Sequence, residues 1–333
     1  MSPPLISILF NTSKMKIKKV LVTGANGYIG NAVTKAFSRA GWKTYGLVRK
    51  ESAVADLAKN EIHPILGTPE DLSFLEQIGE TVFDVIVLNT EDTSNPVPHY
   101  EKVKTMVNEI TQRSHNAGIR PLVMFTSGCK DYGVMDKNDG EPGLAPHTES
   151  SPMNPPVQLA PRMDFGVSFL ENKDANFDST VLRPTIVYGL TSSHYGNLFD
   201  LASKSDSVLQ LIADPKAIMH SLHVDDCGEA YVSLAEHPKR EEIAQQAFNL
   251  SNEKYETAQE VGKALADLYQ LGLEFVAPPV DMLMNSVHAL ANFSQWVGSD
   301  KIRAITGWKE KRSTFIAGIE EYRLAYEANK LDS

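Results

Sequence analysis

Three glycines raise the first chemical expectation. In VTGANGYIGN (22–31), Gly24, Gly27 and Gly30 fall at three-residue spacing, after a short apolar run and before a helical pattern. Gly24 permits a tight bend, Gly27 lets a pyrophosphate approach the backbone, and Gly30 lets the following helix pack closely. The helix N-terminus then offers free N–H groups and its positive dipole end to the anion. Asn26, Tyr28 and Ile29 complete the turn and share the expected contact with a dinucleotide. The second apolar run ends in GLVRKES (46–52), where Arg49 and Lys50 precede the first carboxylate, Glu51. An acidic residue at such a strand end reads a ribose 2′-hydroxyl, whereas an arginine accommodates a 2′-phosphate. Arg49 therefore favours NADP, with NAD as the alternative. The plain readings are a tight turn without a ligand and a solvated arginine.

These residues need a scaffold, and the apolar rhythm supplies one. Runs at 18–24, 43–49, 61–67, 83–90, 121–128 and 179–189 read as strands, with helical patterns between them such as 31–41 and 99–117. Continuous Val/Ile/Leu strands separated by helices predict an α/β fold: a doubly wound parallel (Rossmann) sheet covered on both faces. After Gly189 the rhythm breaks, predicting a smaller, mostly helical C-terminal substrate lobe. The expected division is a flexible extension over 1–14, a dinucleotide-binding domain over 15–190, and an interleaved substrate lobe over 191–333. Segments 220–226 and 245–251 return to the sheet region. Residues 133–160 form a long Pro/Gly-rich loop, a length that is usually functional or mobile.

Composition excludes several classes. The chain has 333 residues, 32 Lys and Arg against 42 Asp and Glu, and a net charge of −10. So acidic a balance argues against nucleic acid or an anionic membrane as the main partner. No run approaches the roughly 20 apolar residues of a membrane span. Two cysteines, Cys129 and Cys227, make no disulfide framework and suit a reducing compartment, so the cytoplasm is expected. Neither HExxH nor CxxC occurs, and no metal site is expected. A small-molecule substrate is the expected partner, and a homodimer stays open.

Five landmarks in order resemble the extended short-chain dehydrogenases/reductases, the NAD-dependent epimerase/dehydratase family. They are VLVTGANGYIG (20–30), LVMFTSGCKDYG (122–133), STVLRPTIVYG (179–189), HSLHVDDCGEAY (220–231) and DKIRAITGWKEK (300–311). The resemblance implies a nicotinamide cofactor on the first lobe and a substrate between the lobes. Asn89 and Thr90, at the end of the fourth strand, and Pro184 are then expected beside the cofactor.

The family's reaction rests on Ser or Thr with Tyr and Lys at YxxxK spacing. The matching window here is Pro161–Phe165, and residues 134–187 contain no tyrosine. Ser127 survives, but the frequent double serine reads Ser127–Gly128. General acid catalysis contributes on the order of 10²–10⁴-fold, so another donor must serve if the chemistry is redox. Ser127, Tyr188 and His223 are the expected catalytic set, and Tyr132, Arg162, His194 and Tyr195 the expected substrate contacts. Each has a plainer reading: tyrosines in structural YG turns, a helix-capping histidine, an arginine in a first helical turn. Three functions follow. One is an NADP(H)-dependent oxidoreductase acting on a small carbonyl or alcohol without the Tyr/Lys pair. Another is a non-redox isomerase or lyase on the same fold. The third is a catalytically silent NADP-binding sensor or scaffold.

Overall fold

Five apolar runs become the parallel strands β1 Lys19–Thr23, β2 Lys43–Val48, β3 His63–Leu66, β4 Val85–Leu88 and β5 Leu122–Thr126. The expected single strand over 179–189 divides at Thr185 into β6 Asp178–Pro184 and β7 Ile186–Tyr188. Pro184 has no N–H to give to a ladder, and the N–H of Thr185 turns to the Leu250 carbonyl at 2.8 Å. Then follow β8 Val208–Ile212, β9 Ile218–Met219, β10 Ser221–His223, β11 Gln246–Leu250, β12 Glu256–Thr257 and β13 Gly272–Val276. This computed structural model describes residues 17–173, 176–191, 194–279 and 288–331, so the expected extension over 1–14 lies outside the described residues.

Seven strands form one parallel sheet in the order β11-β6-β5-β4-β1-β2-β3. In its centre Leu21 of β1 lies opposite Tyr45 of β2 and Ile86 of β4. Strand order reverses between β1 and β4, and such a switch opens a crevice at the carboxyl ends of the strands. The glycine turn follows β1, and Asn89 follows β4, so both stand at that crevice.

Alternation along β1 assigns side chains to opposite faces. Val20 and Val22 pack into a core with Phe37, Cys227 and Tyr231, from helices Tyr28–Arg39 and Val224–Glu236. Leu21 joins Tyr100, Met106 and Phe169, from helices Pro96–Asn116 and Ala160–Glu171. With both faces buried, the strands read as continuous apolar runs rather than alternating ones.

Of the two expected returning segments, Gln246–Leu250 joins the large sheet beside β6. Ser221–His223 does not; it pairs with β7 in a separate two-stranded ladder. The second lobe adds two more ladders, β13 on β8 and β12 on β9, to its helices. Its own core is aromatic, built around Tyr188, Tyr195, Phe199 and Phe315. The long loop over 133–160 is tied at Met135, His147 and Asn154 by backbone bonds to Ser294, Trp296 and Asp131, each 2.9 Å. Among the described residues no helix is long and apolar enough to cross a membrane, and no His/Cys/Asp/Glu group could hold a metal ion.

Candidate active site

At the end of β1 the chain turns through Gly24, at φ +62°, and the Gly27 N–H bonds back to the Gly24 carbonyl at 2.8 Å. The helix begins at Tyr28, with Gly27 as its N-cap. A Cβ on Gly30 would collide with the Gly24 carbonyl, so only glycine lets helix and turn meet here. Tyr28 locks the turn to the far side of the crevice, its hydroxyl donating to the Gly189 carbonyl at 2.5 Å. Asn26 is exposed beside it.

Two buried polar atoms next to this turn lack partners among the described residues: Asn89 Nδ2 and Thr90 Oγ1. Asn89 is held in place because its Oδ1 accepts from Thr126 Oγ1 at 2.6 Å. Unpaired buried polar groups cost about 1–3 kcal/mol each, and a sugar–phosphate chain would satisfy them. The glycine turn, the helix N-terminus that follows it and these orphaned atoms fit a dinucleotide. Arg49 stands exposed one residue past β2, and β2 borders the turn through the Ala25 N–H bond to Leu47.

From the turn a cavity of about 630 Å³ runs to the loop after β5. Its walls include Gly27, Tyr28, Ile29, Gly30, Asn89, Thr90 and Pro184. Ser127, Arg162 and His194 also line it. Thus the fold joins ten of the expected residues in one space.

The loop end is organised by a carboxylate. Asp131, 1% exposed, accepts from the Ser127 hydroxyl at 2.5 Å on one oxygen and from Arg162 Nη2 at 3.2 Å on the other. Arg183 Nε stands 3.4 Å away on the Ser127 side. Glu91 adds a longer contact, 3.9 Å, to Arg162 Nη1. Removing one partner from such a buried ion cluster costs about 3–5 kcal/mol, because the remaining charge is left uncompensated. Ser127 and Arg162, 35 positions apart in sequence, are therefore held side by side on one carboxylate.

The window 161–165 explains how the fold dispenses with its lysine. Phe165 stacks on Tyr100 at 4.8 Å and meets the edge of Phe125 at 4.9 Å, turning that position into part of an aromatic wall. Pro161 sits in the first turn of its helix, where a missing N–H does no harm.

Seven expected residues lie outside this cavity wall: Gly24, Asn26 and Arg49 of the expected cofactor set, and four of the expected catalytic and substrate residues. Tyr188 is fully buried in the second-lobe aromatic core, and its hydroxyl donates to the Ser313 carbonyl at 2.5 Å. Burial raises its pKa. Tyr195 is fully buried in the same core. Tyr132 donates to Asn249 Oδ1 at 2.7 Å. His223 Nδ1 accepts from the Asp225 N–H at 3.1 Å and caps the next helix, while burial pushes its pKa down to about 4. A YG or HVDD pattern locates a loop; it does not say which way the ring points.

Of the cavity residues that escaped sequence reading, two bear on the chemistry. Tyr100 carries no motif and reaches the wall from the helix Pro96–Asn116. Burial raises its pKa, so its hydroxyl stays protonated. Lys130 also lines the cavity, and its position three residues after Ser127 was the available signal.

Comparison with known proteins agrees with this geometry. A model of the NAD dependent epimerase/dehydratase family matches residues 20–251. The spore coat polysaccharide biosynthesis protein SpsK of Bacillus subtilis (strain 168) is 24% identical over 222 residues, covering 66% of this chain and 70% of that protein. The NAD complex of dTDP-glucose 4,6-dehydratase from Bacillus anthracis superposes with a TM-score of 0.73 at 17% identity, over 94% of this chain and 97% of that one. UDP-glucose 4-epimerase from Thermotoga maritima, with UDP-glucose, gives 0.72 at 18% identity, over 94% and 99%. At such identities the structures speak for the fold, and the family model speaks for descent: the chain belongs to the NAD dependent epimerase/dehydratase family.

Proposed function

We propose that this chain is an NADP(H)-dependent oxidoreductase that reduces the carbonyl of a small organic substrate without the Tyr/Lys pair. The observation that carries this reading is the single cavity joining the glycine turn to the Ser127–Asp131–Arg162 cluster. The turn, Asn89 and Thr90 would hold the dinucleotide, and Arg49 its 2′-phosphate. The nicotinamide, when bound, supplies the hydride.

This chain's residues do the rest. Ser127 orients the substrate oxygen by turning to it the hydroxyl hydrogen that Asp131 otherwise accepts. Arg162 presents a fixed positive charge to the oxygen as negative charge develops there, which is usually the largest catalytic contribution in such sites. Tyr100 gives the proton. Two tyrosines line the cavity, and the Tyr28 hydroxyl is committed to Gly189, which leaves Tyr100. Without a lysine beside it, Tyr100 keeps its proton at neutral pH: burial makes it a weaker acid, yet it stands in the state reduction needs, while the tyrosinate that oxidation needs is scarce.

The sugar-nucleotide relatives favour a second reading, transient oxidation followed by net isomerisation. That course begins by taking a proton from a hydroxyl, a task for which a tyrosine with raised pKa and an arginine are poorly suited.

The test follows loss of dihydronicotinamide absorbance with a panel of carbonyl compounds. Ser127→Ala and Tyr100→Phe should slow single-turnover reduction by roughly 10²-fold or more with NADPH affinity kept. Tyr188→Phe should leave the rate unchanged. A product formed from UDP-glucose with no net change in cofactor redox state would replace this reading by the second.

A further inference from the structure

One cation in the cavity has no task so far. Lys130 lies on the short turn Cys129–Tyr132, next to Asp131, and lines the cavity. Its ammonium stands 5.0 Å over the Phe293 ring. Among the described residues, no carboxylate forms an ion pair with it. The contrast with its neighbours is sharp, because Arg162 and Arg183 share Asp131, and Arg162 also has Glu91. Of the charged side chains that line the cavity, Lys130 and Arg162 share the wall with one carboxylate, Glu91, in a chain whose net charge is −10. His194, also on the wall, adds no charge: desolvation, then the Lys130 ammonium, hold its imidazole below the usual value.

We propose that Lys130 receives a carboxylate of the substrate, so that the compound reduced is an oxo acid. This deepens the oxidoreductase reading and rests on it. A half-buried ammonium without a counter-ion has lost water and gained only an aromatic face in return, and burial with the nearby Arg162 already lowers its pKa. A bound carboxylate would restore both charge and hydrogen bond. One ammonium without an ion pair matches a single carboxylate, whereas a phosphate or pyrophosphate would bring more charge than it can offset. Placement gives the rest. Ser127 and Arg162 touch opposite oxygens of Asp131, and Lys130 is the adjoining residue in the chain. Lys130, Ser127 and Arg162 line one cavity, so a single small substrate could turn its carbonyl to the pair and its carboxylate to the ammonium.

Equilibrium dialysis with two radiolabelled monoanions, pyruvate and its unreactive analogue oxamate, on the full chain alone and, for oxamate, also saturated with NADPH, tests this. Both anions should bind the parent. Lys130→Met should weaken them by about tenfold to a hundredfold, the value of one charge-assisted hydrogen bond. Lys130→Arg should retain most of the affinity, and NADPH should bind all three proteins equally. Melting temperatures verify that both variants fold. Failure of both carboxylates to bind the parent, unchanged binding to Lys130→Met, or binding of pyrophosphate in their place would each overturn the proposal. Loss of NADPH binding in the parent would instead overturn the cofactor reading, and the dialysis without cofactor keeps the two failures apart.

Discussion

The guanidinium of Arg162 lies against Gly128, so close that a Cβ on that glycine would stand 3.1 Å from Nη2. Gly128 adopts an extended backbone open to any residue, so what glycine provides here is space. The two departures from the family pattern are thus one arrangement: the second serine of the loop is absent, and an arginine from the next helix occupies its room.

Gly128→Ser should accordingly act on Arg162. The added side chain pushes the guanidinium from Asp131, at about 1 kcal/mol or more of overpacking. Carbonyl reduction should fall at least about tenfold, as expected for loss of one charge-assisted contact, while NADPH affinity holds. Rates and cofactor titrations on the same preparation check this, and an unchanged rate would remove Arg162 from the reacting oxygen.

Arg49→Ala should weaken NADPH by roughly tenfold or more and leave NADH unaffected, since only the 2′-phosphate gains a charge-assisted bond. Fluorescence titration of both cofactors decides it. Equal affinities for the parent would sink NADP preference, and tighter NADH would transfer the ribose to a carboxylate such as Glu51.

Gly27→Val should abolish binding of either cofactor with little loss of fold. Gly27 is exposed with φ −71°, a conformation valine accepts, and its Cβ would meet only the Gly24 carbonyl, at 3.1 Å. Circular dichroism paired with cofactor titration separates the two effects. A variant that binds normally would locate the phosphate cradle elsewhere.

Acid should destabilise the protein through His220. Its Nε2 hydrogen donates to the Asn252 carbonyl at 2.9 Å, and Nδ1 accepts from the Val297 N–H at 3.1 Å. Protonation would break the second bond, and burial pushes the pKa down to about 4. A lowered histidine pKa means the unfolded chain takes up the proton first. The contribution is therefore present above about pH 6.5 and fades as pH falls toward about 4, on the order of 3 kcal/mol. Urea midpoints of the parent should drop more steeply across that window than those of His220→Gln, which has no proton to take up. Parallel curves would assign the acid loss to other groups, His223 among them.

Much was legible in the chain itself. The glycine spacing, the apolar strands and Arg49 at a strand end are local patterns, and local patterns follow from backbone sterics and burial, which act over a few residues. They were enough to set the parallel sheet and the place of the glycine turn at its crevice. The absence of tyrosine from 134–187 was equally certain from sequence. What took its place was not. Tyr188 and Tyr195 sit in promising motifs, yet apolar packing in the second lobe draws both rings inward. Tyr100 has no motif, yet stacking on Phe165 sets it in the cavity wall. Ser127, Asp131 and Arg162 meet because a helix and a loop cross at the carboxyl edge of the sheet, and a buried carboxylate must gather every donor within reach. Spacing along the chain carries no trace of such a meeting; only the folded chain, by excluding water from Asp131, selects its partners.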